Sequence, residues 1–227
     1  MRNYVAHPAE LCFKLPKGMS TLEGALIEPL SVGLNAVCKS GIHVGQTALI
    51  LGSGCIGLTT LMSLKAAGVE EVAVADLFDI RLQKAKELGA AGVINSAKED
   101  IYKTVQELFP NGPDFVFETA GNRVTAGQTV ELVKRGGTIV MIGNVVGETP
   151  FNFQLLVDKE VSIQTVFRYR NIYPQAIAAV SRGTINIRSI VSNIYPLEQA
   201  PQAFEDCITQ KQTMVKAVVC LNKEAME

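Results

Sequence analysis

Short apolar runs alternate with amphipathic stretches between residues 47 and 167. A run of four or five apolar residues between turn residues predicts a strand buried on both faces of a parallel sheet. Strands are predicted at 47–51, 72–75, 93–94, 115–117, 138–142 and 161–167. Helices are predicted between them at about 56–68, 81–88, 102–109, 125–134 and 155–158. This alternation predicts the α/β class, with a doubly wound parallel sheet of six strands.

The pattern changes at both ends of the chain. Ser20-Thr-Leu-Glu23 is a capping-box sequence and predicts the start of a helix. Pro29 is expected to break that helix, so that a second one runs to about Lys39. Extended pieces are predicted at 4–8 and 12–16. Beyond 170 the predicted elements are a helix at 174–181, a strand at 190–194, a helix at 197–208 and a strand at 215–221. They do not continue the repeat and indicate part of another domain.

A glycine-rich turn follows the first strand of the repeat. Gly52, Gly54 and Gly57 give the spacing G-x-G-x-x-G between a strand and a helix. In a dinucleotide-binding fold the first glycine allows the tight turn, the second lets a pyrophosphate approach, and the third lets helix and strand pack closely. The N–H groups at the helix N-terminus then face the phosphates. We therefore predict a cofactor site at this turn, with Ile56 among its contacts.

An acidic residue ends the second strand at the spacing expected of a ribose-binding carboxylate. Asp76 lies 19 residues after Gly57, close to the roughly 20 residues of the dinucleotide fingerprint. A carboxylate there accepts bonds from both ribose hydroxyls and repels a 2′-phosphate. Leu77 follows it, not an arginine, so we predict NAD and not NADP. The alternative is a plain strand–helix–strand unit with a solvated aspartate.

Composition narrows the function classes. The net charge is −1, from 21 basic and 22 acidic residues, which gives no electrostatic reason to expect nucleic acid or an anionic membrane as partner. No apolar run approaches the roughly 18 residues of a membrane helix. The five cysteines are widely spaced and odd in number, which favours reduced thiols and a cytoplasmic protein.

Other candidate residues follow the later strands. Ligands bind beyond the carboxyl ends of such strands, which adds Thr119, Ile142, Gly143 and the segment 167–169 to the predicted site. Arg168 is a cation able to hold phosphate or hydroxyl oxygens, or it is an ordinary surface arginine. Glu28, near the predicted helix break, either caps a helix or points into a cleft.

Several of these stretches together resemble a known family. They are Gly24–Gly33, the glycine turn, Asp76–Arg81 and Val166–Tyr169. They resemble the zinc-dependent medium-chain dehydrogenases, and among those the sorbitol (polyol) dehydrogenases most. The Phe-Arg-Tyr ending of the sixth strand is the most specific marker. The resemblance covers nearly the whole chain but corresponds to the C-terminal two-thirds of such an enzyme.

The resemblance implies a domain division and a set of site residues. It implies a Rossmann domain that binds NAD at 31–169, with remnants of a split GroES-like catalytic domain at 1–30 and 170–227. It places Glu28 beside the catalytic zinc, Arg81 on the adenosine side, and Arg168 and Tyr169 near cofactor and polyol. The expected cofactor contacts are Gly52, Gly54, Ile56, Gly57, Asp76, Arg81, Thr119, Ile142, Gly143, Phe167 and Arg168.

The chain also departs from the family pattern. The N-terminal cysteine, the Gly-His-Glu zinc motif and the four-cysteine structural loop of the family have no counterpart. A catalytic zinc needs about three protein ligands, and Glu28 alone stands at a suitable place. The expectation is the NAD-binding part of a polyol or alcohol dehydrogenase, truncated and inactive alone, with zinc in the parent enzyme. The alternatives are a free-standing NAD-binding module with a sensing or structural role and, less well matched, a zinc-free enzyme like the quinone reductases.

Association is predicted from the last strand of the repeat. Residues 161–167 form an apolar strand at the end of the sheet order, and an unpaired edge recruits partners. A twofold contact there predicts a homodimer with one continuous sheet. The family resemblance points the same way.

Overall fold

A parallel six-stranded sheet forms the centre of the molecule in a computed structural model, which describes residues 5–221. Its strands are β1 Ala48–Leu51, β2 Val72–Asp76, β3 Gly92–Asn95, β4 Phe115–Glu118, β5 Thr138–Met141 and β6 Ser162–Thr165. Their order is β3-β2-β1-β4-β5-β6, and every neighbouring pair is parallel. The predicted doubly wound α/β fold is confirmed. The connection reverses direction between β1 and β4, where such a sheet opens a crevice for ligands.

Helices cover both faces of the sheet. They are α1 Thr21–Ser40, α2 Cys55–Ala66, α3 Asp79–Glu87, α4 Ile101–Leu108, α5 Arg123–Leu132, α6 Phe153–Lys159, α7 Tyr173–Ser181 and α8 Ala200–Thr209. Alternate residues of β1 point to opposite faces. Ile50 therefore joins the core under α1, α2 and α7, whereas Leu49 and Leu51 join the core under α4 and α5. All four residues of β1 are buried.

Helix α1 is continuous, so the predicted break at Pro29 is wrong. The capping box at its start is present: the Ser20 hydroxyl accepts from the Glu23 N–H, and the Glu23 carboxylate accepts from the Ser20 N–H. Pro29 is buried inside the helix, and its carbonyl accepts a bond from the Thr59 hydroxyl at 3.2 Å. Packing against α2 therefore outweighs the local cost of the proline. At Gly33 the crossing is so close that a Cβ would lie 2.6 Å from the backbone of Thr59 and Thr60.

The two ends differ from their predictions. Residues 5–8 and 12–16 form no strand, and the segment between carries a single 3-10 turn, Ala9–Leu11, without buried residues. Near the other end Ile187–Ile190 is also a 3-10 turn, because its two buried isoleucines are three residues apart. The predicted strand at 190–194 instead lies at β7 Asn193–Pro196, which pairs in parallel with β8 Ala217–Cys220 in a separate sheet. The predicted segments also include residues 1–4 and 222–227, which lie outside the described residues.

Candidate functional site

The glycine turn leaves the N-terminus of α2 open to a ligand. Gly52 has φ +98°, a conformation that favours glycine. A Cβ on Gly57 would lie 1.8 Å from the Gly52 carbonyl oxygen, so only glycine fits there. Gly54 caps α2 without a side-chain hydrogen bond, and the nearest atom to a Cβ at this position is Arg81 Nη1 at 4.0 Å. The space beside Gly54, at the start of α2, is therefore open, as a bound phosphate requires.

Thr119 holds this turn from the neighbouring strand. Its hydroxyl lies 3.0 Å from the Leu51 carbonyl oxygen and 2.7 Å from that of Gly52, and its N–H donates to Leu51 as well. Thr119 was predicted to contact the cofactor. In the structure its hydrogen bonds go to the backbone of the glycine turn. Ile56 is half-buried in the first turn of α2, where its carbonyl accepts bonds from the hydroxyls of Thr59 and Thr60.

Asp76 ends β2 directly beside the turn. One carboxylate oxygen accepts from the Ser53 N–H at 2.7 Å, and the other accepts from the N–H groups of Leu77 and Phe78 at 2.8 and 3.0 Å. An ionised carboxylate has about four acceptor positions, so Asp76 keeps capacity for ligand hydroxyls. Its side chain is half-exposed at the rim.

Two buried polar atoms near the turn lack partners among residues 5–221. They are the Ser53 hydroxyl and Arg81 Nε. The Arg81 guanidinium lies over the Phe78 ring, 5.1 Å from its centroid, and reaches towards Gly54. Because buried polar groups normally find a hydrogen-bond partner, these atoms and the open cradle at Gly54 fit the phosphates and ribose of a dinucleotide.

The other half of the rim lies at the ends of β4 and β5. The N–H groups of Ile142 and Gly143 both donate to the Glu118 carbonyl at 2.9 Å. A Cβ at Gly143 would lie 2.4 Å from the Gly121 N–H nitrogen, so the two segments touch. Glu118 itself is fully buried. Sequence reasoning did not assign it, because a carboxylate inside an apolar strand gives no spacing signal.

The segment after β6 turns away from the sheet edge. Arg168 has φ +52°, and its carbonyl accepts a bond from the Asn35 side chain at 2.9 Å. Its exposed guanidinium lies 5.5 Å from the centroid of the Phe167 ring, which is 84% exposed. Strand pairing ends at Val166, so β6 is shorter than the predicted 161–167.

Tyr169 and Glu28 lie close together near this segment. The Tyr173 hydroxyl lies 3.1 Å from that of Tyr169. The hydrogen bond between these two hydroxyls raises the pKa of Tyr169 above the usual range. Burial and the carboxylate of Glu28 add to the rise. Tyr169 therefore remains protonated and can donate to a ligand oxygen. Glu28 itself is exposed.

Metal ligands are sparse within residues 5–221. In that range no group of three or more His, Cys, Asp or Glu side chains is placed to hold a metal ion. Glu28, the candidate from the sequence, belongs to no such group among the described residues. The same part of the chain contains no helix long and apolar enough to cross a bilayer.

Lys216 is a cation near Cys55, at the start of α2, that the sequence did not reveal. It is half-buried just before β8. Burial raises the pKa of the Cys55 thiol at the start of α2, and the charge of Lys216 opposes that rise. Lys216 therefore contributes positive charge to the surroundings of the glycine turn. It lies far from the turn along the chain, and no motif surrounds it.

The chain is similar to oxidoreductases over almost its whole length. The family model described as zinc-binding dehydrogenase matches residues 55–182. The zinc-type alcohol dehydrogenase-like protein YdjJ of Escherichia coli is 44% identical over 96% of this chain, and sheep sorbitol dehydrogenase is 38% identical over 89%. The chain spans 63% and 58% of the length of these two relatives.

Solved structures include a relative with cofactor. An alcohol dehydrogenase of Escherichia coli, rspB, in complex with NADH superposes with a TM-score of 0.90 at 25% identity. The match covers 95% of this chain and 64% of that protein.

Proposed function

Because the chain belongs to the zinc-binding dehydrogenase family, we propose that it binds NAD as the cofactor part of a polyol or alcohol dehydrogenase. The observation that carries this proposal is the open N-terminus of α2. It has a glycine cradle at Gly54 and the unpartnered polar atoms of Ser53 and Arg81 beside it.

In this proposal each half of the rim has its own task. The N–H groups of the glycine turn and the cations of Arg81 and Lys216 hold the pyrophosphate. Asp76 accepts bonds from the hydroxyls of the adenosine ribose. The second half of the sheet, β4 to β6, receives the nicotinamide with the segments around Thr119, Gly143 and Phe167. Such division follows from the two mononucleotide-binding halves of the fold.

The substrate side is proposed to lie around Tyr169. Its protonated hydroxyl and the Arg168 guanidinium can donate to the hydroxyl oxygens of a polyol. Glu28 stands beside Tyr169 as a carboxylate that can accept from them. When bound, the cofactor would accept a hydride from the carbon of a secondary alcohol, and loss of the hydroxyl proton to solvent would complete the conversion to a ketone. A polyol is proposed because sorbitol dehydrogenases are among the relatives.

Alcohol oxidation by this chain alone is not part of the proposal. A catalytic zinc needs about three protein ligands, and the described residues supply Glu28 without two more. We expect the 227-residue chain to bind NAD without zinc-dependent turnover of sorbitol. Atomic absorption and an NADH assay measure both properties. Stoichiometric zinc together with turnover would contradict the expectation.

We also propose a homodimer and a cytoplasmic location. β6 is the edge of the sheet, and Ile163 on it is 44% exposed. Val157 on the neighbouring helix α6 is 70% exposed. These side chains and the free strand edge suit a second copy of the chain. The location rests on the odd number of widely spaced cysteines.

The choice between NAD and NADP tests the role of Asp76. We expect NADH to bind more tightly than NADPH by at least about tenfold, because Asp76 repels a 2′-phosphate. Asp76→Ala should weaken NADH binding by roughly 10- to 100-fold, since hydrogen bonds to a charged group are lost, and should remove the preference. Titration calorimetry with both cofactors measures it.

Asp79→Ala is the matched control. It removes the same charge three residues later, where the carboxylate bonds to Lys98 and Asn95 instead of facing the turn. Its cofactor preference should equal that of the parent chain. If the parent chain bound NADPH as tightly as NADH or more tightly, the proposed role of Asp76 would be contradicted.

A further inference from the structure

Glu118 is a fully buried carboxylate at the centre of the rim. It ends β4, next to β1, where the sheet opens for ligands. In register it lies beside Leu51 on one side and Met141 on the other. None of the roles proposed above uses this side chain. A buried carboxylate is costly unless hydrogen bonds compensate it, so its contacts indicate what it does.

One carboxylate oxygen of Glu118 organises the loop that follows β4. Oε1 accepts from the Gly121 N–H at 2.9 Å and from the Thr125 hydroxyl at 2.6 Å. Burial raises the pKa of this carboxyl, and these donors oppose the rise. Through them the carboxylate fixes the loop that leads into α5. Gly121 in this loop has φ +68°, so its conformation also needs support.

The other carboxylate oxygen faces the end of β5. Oε2 is buried without a hydrogen-bond partner among residues 5–221. A Cβ atom added to Gly143 would lie 2.3 Å from this Oε2 atom. Meanwhile the Glu118 carbonyl accepts the N–H groups of Ile142 and Gly143. One residue therefore contacts both backbone segments at the end of the second half-sheet, 119–121 and 142–143.

We propose that Glu118 is a positioning residue, which sets the two backbone segments that receive the nicotinamide half of the cofactor. The inference rests on the proposed function. If the adenosine half binds over β1 and β2, the nicotinamide half lies over β4 to β6, where Glu118 acts. The group received at these segments is the nicotinamide ring, which ADP-ribose lacks. The glycine turn and Asp76 hold the rest of the cofactor, whereas the hydrogen bonds of the Glu118 carboxylate go to Gly121 and Thr125.

Glu118→Gln separates the two halves of the cofactor. An amide in this place puts its NH₂ group either against the Gly121 N–H or against Gly143, and in both orientations buried N–H groups lack an acceptor. The nicotinamide segments then move. NADH should bind about tenfold or more weakly, because a buried unsatisfied donor is costly. ADP-ribose, which lacks nicotinamide, should keep its affinity within about twofold.

Calorimetry with NADH and ADP-ribose gives the two affinities, and NADH fluorescence reports the surroundings of the ring. Thr125→Val removes one donor to Oε1 and should shift the ratio of the two affinities in the same direction by about threefold. This milder variant keeps the carboxylate and serves if the amide variant does not fold. Thr129→Val is the control: its hydroxyl is buried in the same helix and, among residues 5–221, bonds only to the Ala126 carbonyl.

The outcomes separate the two proposals. Equal loss of NADH and ADP-ribose in Glu118→Gln, or no loss of either, overturns the positioning role and leaves NAD binding intact. An unchanged ratio in Thr125→Val has the same meaning if the amide variant does not fold. A parent chain that binds neither ligand overturns the proposed function and, with it, this inference.

Discussion

At the scale of single residues, two glycines inside helices have different surroundings. Gly33 lies at the crossing of α1 and α2, where a Cβ would meet the backbone of Thr59 and Thr60 at 2.6 Å. Gly127 lies inside α5, and no described atom outside its chain neighbours and the backbone of its own helix comes within 4 Å of its Cβ position. The same substitution therefore tests close packing at one site and helix propensity at the other.

Gly33→Ala should lower the free energy of unfolding by about 1–3 kcal/mol or more, because backbone atoms cannot yield as a side chain does. Gly127→Ala should raise it by about 0.5–1 kcal/mol, since alanine loses less conformational entropy in a helix. Urea unfolding followed by circular dichroism measures both. Equal stability of the two variants would contradict the close crossing.

At the scale of elements, β6 has one free edge. In a parallel ladder alternate N–H groups point to opposite sides. The N–H of Ser162 donates to Gly137 on the β5 side and that of Val166 to Met141, so the N–H of Ile163 points outward. That outward edge is the place where the proposed second copy would pair.

Ile163→Pro removes this outward N–H and leaves the bonds to β5 in place. We expect the parent chain to form a dimer at micromolar concentration and the proline variant to be monomeric by light scattering. Ile163→Thr keeps the N–H and should remain dimeric. A monomeric parent chain, or a folded proline variant that stays dimeric, would refute pairing through β6.

At the scale of the whole molecule, the sheet and its rim could be predicted from the sequence because both follow periodic rules. The runs at 47–51 and 72–75 are buried on both faces, and strand ends mark the rim. Three features could not be predicted: the continuity of α1 through Pro29, the positions of the terminal elements, and the position of Lys216 near Cys55. Each depends on contacts between segments distant in sequence. The domain division at 31–169 stays a prediction, and α1 runs through its first boundary as one helix.

Helix α1 joins two regions of the molecule. It carries Glu28 near its middle, Asn35 donates to the Arg168 carbonyl, and Lys39 reaches the Thr165 carbonyl at the end of β6. At about 1.5 Å per residue, Glu28 and Lys39 are roughly 16 Å apart on one rigid rod. A ligand at Arg168 and a second chain at β6 would therefore both contact segments that are hydrogen-bonded to the same helix, α1. Thermodynamic linkage then makes their effects reciprocal. If the ligand raises the affinity between the two chains by some factor, dimerisation raises the affinity for the ligand by the same factor. The apparent affinity for the ligand would then depend on protein concentration.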